Sequence, residues 1–132
     1  DKNISSYKRL AKKLGLNAYF VGEQKSTAKF YEASDIFIFP THYEPFSNVV
    51  LEALSFKNVV FTTAQNGAGE ILEDKFVLQS PNDESALEFI DEILTNHELL
   101  ASLQEKAYEL SLNFSIEKNA ALTLDVIKDA LK

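Results

Sequence analysis

The chain has 132 residues, 45% of them hydrophobic and 25% charged, and its 13 Lys/Arg against 20 Asp/Glu give a net charge of −7. That length suits one domain burying roughly two-thirds of the surface its unfolded chain would expose, and the composition excludes a disordered, fibrous or membrane-spanning protein, since no apolar run nears the ~20 residues of a membrane helix. Having no cysteine, it can build neither a disulfide framework nor a thiolate metal site, and its residues 67–132, with five Lys/Arg against fourteen Asp/Glu (eight against six in 1–66), argue against nucleic acid as a partner.

The chain opens at Asp1 with no secretory signal pattern, and the expectation is a fragment or processed product. Periodicity predicts a helix over Ser5–Leu14, stopped by Gly15, and then a short strand in "AYFVG", Ala18–Gly22. "STAKFYEAS" predicts a second helix with Ser26 or Thr27 as N-cap. "DIFIFP", Asp35–Pro40, is continuously apolar, the pattern of a strand buried on both faces of a parallel sheet. A helix over Ser47–Phe56 follows, then a strand over Asn58–Thr63 and a loop containing Gly67 and Gly69. A short helix, Glu70–Asp74, leads to a weaker strand, Lys75–Gln79. Beyond Pro81 the pattern is helical only: Asp83–Thr95, His97–Leu112 and Ser115–Leu131, the last two capped by Asn96 and Ser115. Strands alternating with helices imply an α/β fold with a doubly wound, mostly parallel sheet and C-terminal helices.

Ligands of such sheets bind outside the carboxyl ends of the strands, which selects the loops 22–26, 41–47 and 63–69. The second of these enters "HYEPFSNVVLEAL", His42–Leu54, where Glu52 interrupts an apolar run. Asn48, Glu52 and Ser55 recur at i, i+4 and i+7, the polar stripe of an amphipathic helix, so solvent exposure alone accounts for Glu52. A second reading uses the same geometry. A helix starting near Ser47 would aim its free N–H groups at the strand ends, a ready phosphate site. Glu52, about a turn and a half in, could then hold hydroxyls of whatever carries that phosphate, with Glu44 on its other side.

His42 could serve as a general base, but a lone histidine without a positioned acidic partner fits an ordinary loop residue. His97 fits solvated surface. The two histidines lie too far apart in sequence for a zinc motif. "QNGAG" lacks the pattern of a phosphate loop, and Asp35 stands at the wrong end of its strand for a receiver-like signalling domain.

Glu44 and Glu52, with seven residues between them in "EPFSNVVLE" after a strand ending in proline, resemble the E-x7-E signature of retaining glycosyltransferases with the two-Rossmann-domain GT-B fold. "FVGE", "FYEASDIFIFPTHYEPFSNVVLEAL" and "VVFTTAQNGAGEIL" extend the similarity from Ala18 to Lys132, nearest to lipopolysaccharide-core glucosyltransferases and capsule enzymes. The resemblance implies a single Rossmann-like domain over residues 1–132 that binds a nucleotide diphosphate sugar, UDP-glucose or a close relative. The acceptor domain and the start of the donor domain would lie outside it. By the same resemblance Glu44 contacts the transferred sugar and acts in catalysis, the amides of Phe46 and Ser47 bind sugar hydroxyls, and those of Asn48 and Val49 bind the diphosphate. Glu52 accepts from the ribose, and Val21, Gly22 and Glu23 cradle the base. Gly67 and Glu70 match a Gly-x-x-Glu stretch in which Glu70 is structural. No metal and no other cofactor is expected, given no Asp-x-Asp motif. The expected partners are the sugar nucleotide and a glycan or lipid-linked acceptor held by a missing N-terminal domain. There is no nucleic acid and no transmembrane segment, and the expected location is cytoplasmic, with peripheral association at the inner face of the membrane compatible with such an acceptor. Ser47 stands where the family has glycine, and the family's diphosphate-clamping Arg and Lys would lie upstream of Asp1. A non-catalytic sugar-nucleotide-binding module and a sugar-nucleotide epimerase of the same fold are the alternatives.

Overall fold

The computed structural model describes residues 4–131. Its centre is a parallel sheet in the order β1-β2-β3, formed by β1 (Ile36–Phe39), β2 (Val59–Thr63) and β3 (Val77–Leu78). Every residue of the central strand β2 is buried. Successive strand residues point to opposite faces, and the core divides accordingly. Val60 packs with Tyr31, Val50, Ala53 and Leu54 on one side, whereas Val59 and Phe61 pack with Phe76, Ile93 and Leu103 on the other.

Two sets of helices supply those side chains. The first is α2 (Ala28–Glu32) with α3 (Asn48–Ser55), and the second is α4 (Leu87–Thr95) with α5 (His97–Ser111), which reaches both clusters through Leu103 and Ala107. Helices on both faces of a parallel sheet make the doubly wound α/β fold that the alternation of elements predicts. Helix α1 (Ile4–Lys13) precedes this unit and α6 (Ile116–Ala130) closes it. Among the described residues no helix is long and apolar enough to cross a membrane.

The punctuation is largely as the sequence implies. Gly15, at φ +66°, ends α1 while the Leu16 N–H returns to the Ala11 carbonyl at 3.0 Å, the left-handed stop that glycine adopts at least cost. Asn96 Oδ1 accepts from the Leu99 N–H at 3.0 Å, and Ser115 Oγ from that of Lys118 at 3.2 Å.

Four expectations are corrected. Ala18–Gly22 is not a strand: its side chains are exposed and Gly22 sits at φ +64°. A strand needs a hydrogen-bonded neighbour, and among the described residues nothing pairs with this segment. β1 is the sheet's edge strand, with Ile38 46% exposed, so two-sided burial belongs to β2 alone. The N-cap of α2 is Thr27, one of the two residues expected there, although its side chain makes no capping bond. In place of a helix over Glu70–Asp74 there are two 3-10 turns, Gly67–Ile71 and Asp74–Phe76, the first capped by Asn66, and β3 shrinks to Val77–Leu78. Finally, α4 starts at Leu87 and not at Asp83. The Asp83 carboxylate accepts from the N–H groups of Gln79 and Ser85 at 2.7 and 2.9 Å, a local turn that competes with helix and holds that carboxyl below its usual range.

Candidate functional site

The register pairs Phe39 with Thr62, so the loops leaving the carboxyl ends of β1 and β2 emerge side by side. Buried hydroxyls tie them together. Thr62 Oγ1 donates to the Phe39 carbonyl at 2.9 Å and Thr63 Oγ1 to that of Thr41 at 2.6 Å. Asn66, only 1% exposed, donates from Nδ2 to Thr62 Oγ1 at 2.9 Å and accepts the Ala68 N–H on Oδ1 at 3.0 Å. All three side chains are therefore paired, as burial of polar groups requires.

This network fixes the backbone at Glu44. The Glu44 N–H donates to the Gln65 carbonyl at 3.0 Å, and the Gly67 N–H donates to the Glu44 carbonyl at 2.9 Å, a one-residue parallel bridge between the two loops. The approach is so close that a Cβ on Gly67 would lie 1.9 Å from the Pro45 carbonyl oxygen. Only glycine fits there, which gives Gly67 a definite part in holding the Glu44 loop. His42 and Tyr43 are exposed at the loop's tip, and His42 makes no hydrogen bond or ion pair among the described residues.

Past Pro45, the exposed Phe46 leads to the buried Ser47, the N-cap of α3, in extended backbone (φ −95°, ψ 110°) with its hydroxyl making no capping bond. The first-turn amides, those of Asn48 and Val49, have no carbonyl of the preceding turn to bond and carry the positive end of the helix dipole. They stand at the carboxyl edge of the sheet, next to the Glu44 bridge.

Glu52 is exposed, as the polar-stripe reading has it, but it is not merely solvated. One carboxylate oxygen accepts from the Tyr31 hydroxyl at 3.2 Å, and the residue lines a recess of about 280 Å³ with Lys25, Ser26, Thr27, Tyr31 and Phe56. Tyr31 is 6% exposed, between the Phe37 and Phe56 rings, and its carbonyl is held by Asn58 Nδ2 at 2.8 Å. Burial pushes the Tyr31 phenol above its ordinary pKa, and the Glu52 charge and hydrogen bond push the same way, while a hydrogen bond with Thr27 pulls it back in part.

Sequence reasoning selected Val21, Gly22 and Glu23 for this region. They are exposed and do not line the Glu52 recess, which Lys25–Thr27 occupy instead. The Glu70 side chain is exposed, makes no hydrogen bond or ion pair among the described residues, and edges an open recess of about 480 Å³ with Asn66, Gly67, Asp74 and Gln79. A further recess of about 360 Å³ lies beside Val59 and Val60, lined by Leu54, Ile71, Phe76 and Leu103 and by none of Glu44, Ser47 or Glu52. Among the described residues no three His, Asp or Glu side chains are grouped to hold a metal ion. Tyr31, Thr62, Thr63 and Asn66 escaped sequence reasoning. The signal for Asn66 was its Asn-Gly step after a buried strand, and Tyr31 was hidden among apolar residues of a short helix.

A family model described as glycosyl transferases group 1 matches residues 2–110. An uncharacterised glycosyltransferase of Haemophilus influenzae is 28% identical over 117 residues, 84% of this chain and 33% of that protein. A Staphylococcus aureus capsular polysaccharide biosynthesis glycosyltransferase, CapM, is 28% identical over 86 residues, covering 63% and 23%. Among solved structures, a glycosyltransferase from Rickettsia africae superposes with a TM-score of 0.78 at 28% identity, over 97% of this chain and 36% of that one. The chain thus spans about a third or less of the length of these relatives.

Proposed function

The chain belongs to the glycosyl transferases group 1 family, and we propose that it is the donor-binding domain of a retaining glycosyltransferase acting on a nucleotide diphosphate sugar, UDP-glucose or a close relative. The acceptor proposed is a cell-surface glycan or lipopolysaccharide at the cytoplasmic face of the membrane, held by a domain outside residues 1–132. A capsular relative favours a polysaccharide product. The observation that carries the reading is the placement of the α3 first turn at the carboxyl edge of the sheet between two glutamates, one locked by the Gly67 bridge and one in a recess.

Each group has a physical task there. The amides of Asn48 and Val49 face the leaving diphosphate, whose charge grows as the sugar departs, so fixed dipoles help most in the transition state. Those of Phe46 and Ser47 meet the sugar hydroxyls. Glu44 orients the transferred sugar on a loop whose backbone cannot drift, and Glu52 accepts from the ribose. Basic side chains outside this chain complete the clamp, and no metal is part of the proposal. Val21, Gly22 and Glu23 cradle the base in this reading, and His42 stays an exposed residue of the Glu44 loop. The test is a transfer assay with the full-length protein and a panel of UDP-, GDP- and ADP-sugars. Release of nucleotide with the anomeric configuration retained in the product supports the reading, and interconversion of the sugar nucleotides without acceptor would replace it with the epimerase alternative.

A further inference from the structure

We propose that Tyr31 is a positioning residue for nucleotide recognition: its hydroxyl fixes one oxygen of the Glu52 carboxylate so that the other is presented to the ribose. The inference rests on the reading of Glu52 as the ribose acceptor. An exposed glutamate on a helix has several rotamers of similar energy, and fixing it at the moment of binding costs side-chain entropy. The structure removes that freedom beforehand. Tyr31 is itself held in place, packed against Phe37 and Phe56 with its carbonyl tied to the fully buried Asn58. Its one polar atom reaches Glu52 at the rim of the recess and not a core partner. A buried phenol whose proton is directed at a carboxylate keeps that carboxylate as an acceptor, which is what a pair of ribose hydroxyls needs.

The arrangement also says why a tyrosine and not a phenylalanine fills this position. Packing alone would be satisfied by the ring, and the hydroxyl buries no additional apolar surface. Its bond to Glu52 spans from α2 to α3, so ligand contact at Glu52 is referred to the core through a single side chain.

The experiment is calorimetric titration of UDP and 2′-deoxy-UDP into the full-length protein and its Tyr31→Phe, Glu52→Ala and doubly substituted forms. The parent is expected to prefer UDP by roughly tenfold, Glu52→Ala to abolish that preference, and Tyr31→Phe to reduce it about threefold or more with little change in melting temperature. The double variant is expected to match Glu52→Ala alone, since Tyr31 acts only through Glu52. If Glu52→Ala keeps the parent's preference, the ribose reading of Glu52 fails and this inference fails with it. If Glu52→Ala loses the preference while Tyr31→Phe retains it, the ribose reading stands and the positioning role is overturned. A measurement without substitution guards against a misfolded variant: the ring signals of Tyr31 in the NMR spectrum should move on saturation with UDP and less with 2′-deoxy-UDP, and equal shifts would count against the proposal.

Discussion

Gly67→Ala perturbs the Glu44 loop without touching a charged group. Its Cβ would stand 1.9 Å from the Pro45 carbonyl oxygen and 3.0 Å from the carbonyl carbon, so the Pro45 peptide must retreat by about 1.5 Å to reach an ordinary non-bonded distance. That retreat loosens the two bridge bonds, Glu44 N–H to Gln65 and Gly67 N–H to Glu44, worth about 1 kcal/mol each. Residual crowding of backbone adds about 1–2 kcal/mol. The loss is then roughly 3–4 kcal/mol, or a fall in melting temperature of about 12–16 °C at ~4 °C per kcal/mol for a domain of this size. The companion Gly69→Ala meets its nearest atom, the Thr63 carbonyl oxygen, only at 3.4 Å, and is expected to change stability by less than about 1 kcal/mol. Thermal melts of both variants, with transfer assayed in the full-length protein, make the comparison. Gly67→Ala should lose transfer more than UDP affinity. A Gly67→Ala form that melts within 2 °C of the parent and transfers sugar at full rate would refute the bridge as drawn, with 2 °C representing only ~0.5 kcal/mol.

The 132-residue chain by itself is expected to fold but to transfer no sugar, because the acceptor must be held against the donor across a cleft; turnover on any glycan by this chain alone would contradict that. Full-length protein is expected to keep transferring in excess EDTA, and complete loss restored by manganese would overturn the metal-free proposal. Burial, and after it the charge and hydrogen bond of Glu52, push the Tyr31 phenol above its ordinary pKa, so the folded state favours the neutral phenol. The stability from this preference is fully present below the ordinary tyrosine pKa of 10.0 and is lost as pH rises through the higher folded value. Parent and Tyr31→Phe should therefore melt close together up to about pH 10, and the parent should fall below the variant as pH rises further; melting temperatures that stay together through pH 12 would argue against a buried, neutral phenol at Tyr31.

Much of the fold was legible because period and punctuation agreed: "NVVFTT" became the fully buried β2, and Asn96 and Ser115 capped their helices. What failed depended on partners that no local pattern reports. "AYFVG" has every property of a strand except a neighbour, and "DIFIFP" is as apolar as a central strand yet lies at the sheet's edge. At the candidate site, the glutamate spacing was visible in sequence, whereas the groups that hold the glutamates were not. Tyr31 lies 21 residues from Glu52, and the Asn66 side chain reaches the β1 exit through Thr62. Contacts of that kind arise from the parallel crossover and leave no trace in spacing.

The central claim is that the two glutamates divide the donor, Glu52 taking the nucleotide and Glu44 the sugar. Calorimetric titration of UDP into the full-length Glu52→Ala and Glu44→Ala proteins, with kcat measured alongside, tests it directly. Loss of charge-assisted bonds to the ribose should weaken UDP roughly 10- to 100-fold in Glu52→Ala. Glu44→Ala should bind UDP nearly as the parent does while kcat falls steeply. Parent-like UDP affinity in Glu52→Ala would contradict the account and leave Glu52 as one residue of a wet helix face.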